Sequence, residues 1–217
     1  MLRKFLKLFV AYILLLLVAR YLHTGHFAYF FLLWNLFLAW LPYALLNSIK
    51  KHKHPMSFWV GLISALLFLP NAPYLITDLV HLHTTNSHTL WLDVLLILSF
   101  AIVGLLLFVR CVQLILLLLS QRLHPGRQLF LICKILLMTV CAYGVYVGRY
   151  LRFNSWDVFT NPLHLAEQMG RSILDPAHVS ETMAITISLS AFLYLIYELY
   201  ENYQVHLSQP TLDPQKT

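Results

Sequence analysis

Charge is what this chain has least of: 11% of its 217 residues are Asp, Glu, Lys or Arg, against about 25% in ordinary soluble domains. With 59% apolar residues, it cannot cover a soluble globule with polar surface. Glycine is also scarce, at seven residues. There is no glycine-rich phosphate loop, no GlyXaaSerXaaGly elbow and no HisGluXaaXaaHis helix. These absences weigh against the common soluble enzyme classes and call for no cofactor. They leave room for a membrane enzyme working with isolated aspartates, histidines and arginines. The three cysteines, Cys111, Cys133 and Cys141, fall inside apolar runs. A disulfide framework would place cysteines in outer loops, so these read as small packing residues.

What is present is a series of long apolar runs. About 20 such residues cross the ~30 Å hydrocarbon layer as a helix, and a helix is required because lipid offers no partner for backbone amides. Six spans are expected, at about 5–22, 27–49, 56–77, 94–119, 129–151 and 182–203. The fold class is therefore an all-α polytopic transmembrane bundle in one domain, whose first partner is the lipid bilayer. Arg3, Lys4 and Lys7 before the first run resemble the head of a secretory signal, but no small-residue cleavage site follows, so an uncleaved anchor is the preferred reading. Lys134, near the start of the fifth span, is expected to snorkel to the interface. Tyr194, Tyr197, Tyr200 and Tyr203 are spaced to suit a water–lipid boundary.

Orientation follows from the basic residues, because basic loops stay cytoplasmic. With the N-terminus inside, eleven of them fall inside, namely Arg3, Lys4, Lys7, Lys50, Lys51, Lys53, Arg110, Arg122, Arg127, Lys134 and Lys216. Only Arg20, Arg149, Arg152 and Arg171 fall outside. Six spans return the C-terminus, with a polar tail at 206–217, to the cytoplasm, and the plasma membrane is the expected location. The net charge of +6 then records topology. Nucleic-acid binding is disfavoured, since the basic residues are split among short loops.

Two polar segments interrupt the pattern. Residues 69–83 read LeuProAsnAlaProTyrLeuIleThrAspLeuValHisLeuHis, and residues 148–157 read GlyArgTyrLeuArgPheAsnSerTrpAsp. The assigned topology puts both in one outer layer, with Asp93 and, by depth, Asn35. Pro70 and Pro73 remove two amide donors, so a regular helix should break there, as tolerated where a helix lines a cavity or is buried in protein. Asn71 could satisfy the freed backbone or bind a ligand. Arg149 and Arg152, three apart, would share a helix face. They could pair with Asp78, Asp93 or Asp157, or clamp an anion. Gly144 and Gly148 invite close approach by a neighbouring helix, which would bring Arg149 against it.

Asp78, His81 and His83 are weak metal candidates, because neither a helix nor an extended segment gathers three ligands at that spacing. Between the fifth and sixth spans, Asn161 and Pro162 are expected to open a helix. Leu163, Ala166, Met169 and Ile173 recur there at helical spacing, so the helix either lies on the membrane surface or caps the bundle. Asp175 and Pro176 should cap and begin the last span.

The two polar segments, with Trp91 and Asp93, resemble the bacterial membrane-protein family called domain of unknown function 1361, over roughly Asn35 to Tyr200. The resemblance implies a multi-pass, bacterial membrane protein and brings no reaction with it. Two readings of the residues therefore stand open. In one, an outer-leaflet pocket built on Asn71, Asp78, Asp93, Arg149, Arg152, Asn154 and Asp157 binds a small anionic or lipid-derived ligand for transport or modification. In the other, the same residues only lock the helices of a structural or accessory protein.

Overall fold

The computed structural model describes residues 2–50, 54–84 and 88–208, and among these there is no strand. Nine helices follow in order: α1 (Leu2–Thr24), α2 (Phe31–Ile49), α3 (Pro55–Phe68), α4 (Asn71–Thr77), α5 (Leu90–Leu123), α6 (Arg127–Arg149), α7 (Asp157–Thr160), α8 (Pro162–Leu174) and α9 (Pro176–Ser208). A 3-10 segment, Asp78–Thr84, continues α4. Among the described residues, six stretches are long and apolar enough to cross a membrane, Lys4–Thr24, Phe31–Ile49, Pro55–Leu82, Leu90–Leu123, Arg127–Arg149 and Pro176–His206. This is the expected multi-pass helical bundle. Most of the expected tail, residues 209–217, lies outside the described residues.

Helix ends depart from the expected ones for local reasons. The second span starts at Phe31 because Gly25 and Tyr29 take left-handed φ of 68° and 70° in the turn before it. The fifth stops at Arg149 because the chain doubles back, with the Phe153 amide donating to the Val147 carbonyl at 3.3 Å. The sixth starts at Pro176, where the Asp175 carboxylate accepts from the Ala177 amide at 2.9 Å. That cap is the one the sequence suggests.

α5 is the central post. It packs against α1, α2, α4, α6 and α9, and Leu96, Ile97, Phe100, Phe108 and Ile115 are fully buried along it. Cys111 and Cys141 are buried with them, as packing residues would be. α4 is wedged between α5 and α6, and glycines on both sides make room for it. A Cβ on Gly104 would lie 2.4 Å from the Ala72 carbonyl oxygen, and one on Gly144 would lie 2.5 Å from Pro70 Cγ. The first contact is with backbone, which cannot move aside as a side-chain tip can.

The proline break falls where expected, and its hydrogen bonds can be followed group by group. Leu69 and Ala72 donate back three residues, to Leu66 and Leu69. Phe68 thereby loses its usual partner. Asn71 Nδ2 supplies the replacement, donating to the Phe68 carbonyl at 2.8 Å, as a carbonyl freed by a helix break requires.

Candidate functional site

Both polar segments arrive at one end of the bundle, where α1 ends, α2 begins, α4 ends, α5 begins and α6 ends. Asp78, 1% exposed, is the hub. Its Oδ1 receives Arg149 Nη2 at 3.0 Å, and its Oδ2 receives the Asn35 amide at 3.3 Å. Arg149 also donates to the Thr77 carbonyl and to the Tyr74 hydroxyl at 3.4 Å, with its guanidinium over the Tyr74 ring. Gly148 permits this, because a Cβ there would already touch that ring at 3.3 Å. The glycine spacing on α6 and the arginine's engagement with α4 are thus one feature.

Asp93, fully buried, belongs to a different pair. Arg20, from the last turns of α1, donates to it through Nε at 2.5 Å and Nη2 at 3.4 Å, and Thr89 adds a hydroxyl at 3.4 Å. The guanidinium rests over Tyr29, 4.5 Å from the ring centre. Its Nη1 is buried with no hydrogen-bond partner among the described residues.

The remaining candidates separate. Arg152 does not share a face with Arg149: it lies past the end of α6 at a left-handed φ of 60°, exposed, and forms no ion pair among the described residues. The two-arginine clamp is therefore not built. Asp157 turns inward to its own segment, accepting from the Asn154 amide at 2.6 Å and the Thr160 hydroxyl at 3.1 Å. His81 comes within 3.8 Å of Asp78, as residues three apart do in a 3-10 turn. The side chain of His83 lies outside the described residues. No group of three metal-ligating residues forms among those described.

Asn71 opens onto a cavity of about 470 Å³ enclosed by α2, α3, α4, α6 and α8. Leu38, Leu66, Leu67 and Val147 give it apolar walls, while Asn35, Asn71, Tyr74, Asn154 and Ser155 give it a polar end. Asn71 Nδ2 also reaches Ser155 Oγ at 2.9 Å, which joins the two polar segments directly. Both amide hydrogens of Asn71 are then used, and its carbonyl oxygen takes no hydrogen bond among the described residues. Ile63 and Val140 line the cavity and are also 64% and 52% exposed, so it opens sideways between α3 and α6. No charged side chain lines it.

α8 closes the polar end over α6, with Tyr143 donating to or accepting from Ser172 at 2.9 Å. Leu165 and Ser172 are its buried residues, whereas Leu163, Ala166 and Ile173 of the expected apolar face point outward. At 100° per residue, three faces result. Leu165, Met169 and Ser172 face the protein; Leu163, Ala166, Ile173 and Leu174 form an exposed apolar face; His164, Glu167 and Arg171 form a charged one.

Lys134 does not snorkel. It is buried between α6 and α9, 2.5 Å from Glu198 and 3.6 Å from Glu201. Tyr194 and Tyr197 surround its ammonium. Tyr197 is 2% exposed, so Tyr194 and Tyr197 line this ion cluster, whereas Tyr203 is 59% exposed.

A family model described as Protein of unknown function (DUF1361) matches residues 34–196, most of the chain. The chain belongs to that family. No curated protein matches the chain, and no solved structure does. The DUF1361 segment contains Asn71, Asp78, Asp93, Arg149, Arg152, Asn154 and Asp157, but not Arg20, the partner of Asp93. Sequence reasoning missed Arg20 as a member of the site. The available signal was a lone arginine in the last turn of an apolar run, which needs a carboxylate at its own depth. Ser155 carried no such signal, since a serine in a polar loop is unremarkable until its neighbour is known.

Proposed function

We propose that this DUF1361 protein is a multi-pass protein of the plasma membrane whose cavity binds a lipid-derived ligand, for transport or modification. The observation that carries this is the mixed lining: apolar walls open toward lipid, ending in Asn71, Asn154 and Ser155. A small anion is the weaker reading, because Arg149 is engaged by Asp78 and Arg152 stands apart. The polar end offers acceptors such as Asn71 Oδ1 beside hydroxyl and amide donors, a set that suits a head bearing hydroxyl groups. α8, with its exposed apolar face beside a charged one, would lie at the membrane surface above the opening. A glycosyl diacylglycerol with a photoreactive acyl chain should label the protein, and Val140→Trp, which fills the opening, should reduce labelling about tenfold, equivalent to about 1.4 kcal/mol. Equal labelling of both proteins would remove the ligand reading.

The distribution of basic residues supports cytoplasmic termini, with the polar end outside. Phe159 in α7 is 76% exposed, so Phe159→Cys should react with an impermeant thiol reagent in whole cells. Reaction only after lysis would invert the orientation.

A second reading is favoured by the internal satisfaction of Asp78, Asp93, Arg149 and the Asn71 amide. On that reading the protein is an accessory membrane component, and the polar residues fix helix positions. Asn71→Ala would then lower stability while leaving photolabelling unchanged.

A further inference from the structure

A second cavity, about 700 Å³, lies between α1, α2 and α5 and is lined by none of the polar-cluster side chains. α1 and α2 are antiparallel neighbours, yet α1 packs chiefly on α5. Lys7 and Asn47 both line the space between them. At 1.5 Å per residue, Lys7 lies about 26 Å from Thr24 and Asn47 about 24 Å from Phe31, so they stand at one depth near the end opposite the polar cluster. Val10, Phe37, Trp40 and Leu107 form apolar walls. Phe37 and Trp40 are also 46% and 47% exposed, which opens the groove to the surrounding membrane.

The dimensions choose the occupant. From Leu33 to Asn47 the groove runs about 21 Å along α2, longer than the ~15 Å half-thickness of the hydrocarbon core. Its volume over that length, with the radius of a water molecule added on each side, gives a mean width of about 9 Å, narrower than a helix of about 10–12 Å diameter and wide enough for an acyl chain. The charge chooses the headgroup. Lys7 is the charged residue lining the groove, and Lys4 and Lys50 sit at the same end, at the start of α1 and the end of α2. Among the described residues, the carboxylates of that half of the bundle, Glu198 and Glu201, are on α9 and engaged by Lys134.

We propose that this groove binds an anionic phospholipid of the adjacent leaflet, with one acyl chain along Phe37 and Trp40 and the phosphate against Lys7. The site is separate from the cavity at the polar end and does not depend on its function.

Native mass spectrometry of the full chain, given equal phosphatidylglycerol and phosphatidylcholine of identical acyl composition, tests this. Wild-type protein should retain phosphatidylglycerol in preference by about fivefold, the worth of one lysine near a membrane surface. Lys7→Gln should bring the two lipids near parity. Val10→Trp, or Ala44→Trp if the first does not fold, should remove retention of both while the melting profile in detergent confirms the fold. Equal retention by wild-type protein, or a preference unchanged in Lys7→Gln, would overturn the site. A lipid-free dimer would also overturn it, assigning the face to a second copy.

Discussion

Asp78→Ala is expected to destabilise the protein by about 3–5 kcal/mol, the cost of leaving a buried charge without its partner. Arg149 would keep only neutral acceptors, the Thr77 carbonyl and the Tyr74 hydroxyl, and the Asn35 amide would lose its acceptor as well. Arg149→Leu should cost a similar amount by stranding the carboxylate. The double variant Asp78→Leu/Arg149→Met should recover most of the loss, because an apolar pair of similar volume is often as stable as a buried ion pair. Unfolding in detergent mixtures of rising dodecyl sulfate fraction would measure all four proteins. Strictly additive losses would mean that the two side chains act independently, against the geometry.

Asp93→Ala should produce a second loss of about 3–5 kcal/mol, with a different local signature. Arg20 and Asp93 join α1 to α5, and α1 has no other strong polar tie to the bundle among the described residues. Beyond the global loss, α1 should become separately accessible: a cysteine at Ile13, fully buried in the native protein, should gain reactivity toward a membrane-permeant thiol reagent. Asp78→Ala should leave that reactivity much closer to the native level. Equal exposure of Ile13→Cys in both backgrounds would show that α1 is held by apolar packing alone.

The fold was readable because hydrophobic length is decisive in a membrane: a run of twenty apolar residues has few alternatives to a spanning helix. The proline break at 69–70 was equally readable, since missing amides are a covalent fact. Layer assignment also gathered Asn35, Asp78, Asp93 and Arg149 to one end. Pairing within that layer was not readable. Arg20 and Arg149 are both arginines at suitable depth, and only the rotation of α1 and α6 about their axes assigns Arg20 to Asp93 and Arg149 to Asp78. Arg152 was misplaced because the face-sharing rule holds only while the helix lasts, and α6 ends three residues earlier. Lys134 was misplaced because snorkelling presumes a lipid neighbour, whereas α9 supplied two carboxylates. The expected apolar stripe of α8 is split, with Met169 turned to the protein and Leu163, Ala166 and Ile173 outward, because periodicity cannot say which neighbour a stripe faces.

The Arg20–Asp93 pair also bears on where the protein can be cut. The family match begins at residue 34, which makes that position an inviting start for a shortened protein. Such a truncation would remove Arg20 while retaining Asp93 in the first turn of α5, so the remainder would hold a carboxylate without its cation. The electrostatic unit of this protein is therefore longer than its family signature, and a working minimal version has to begin before α1's last two turns.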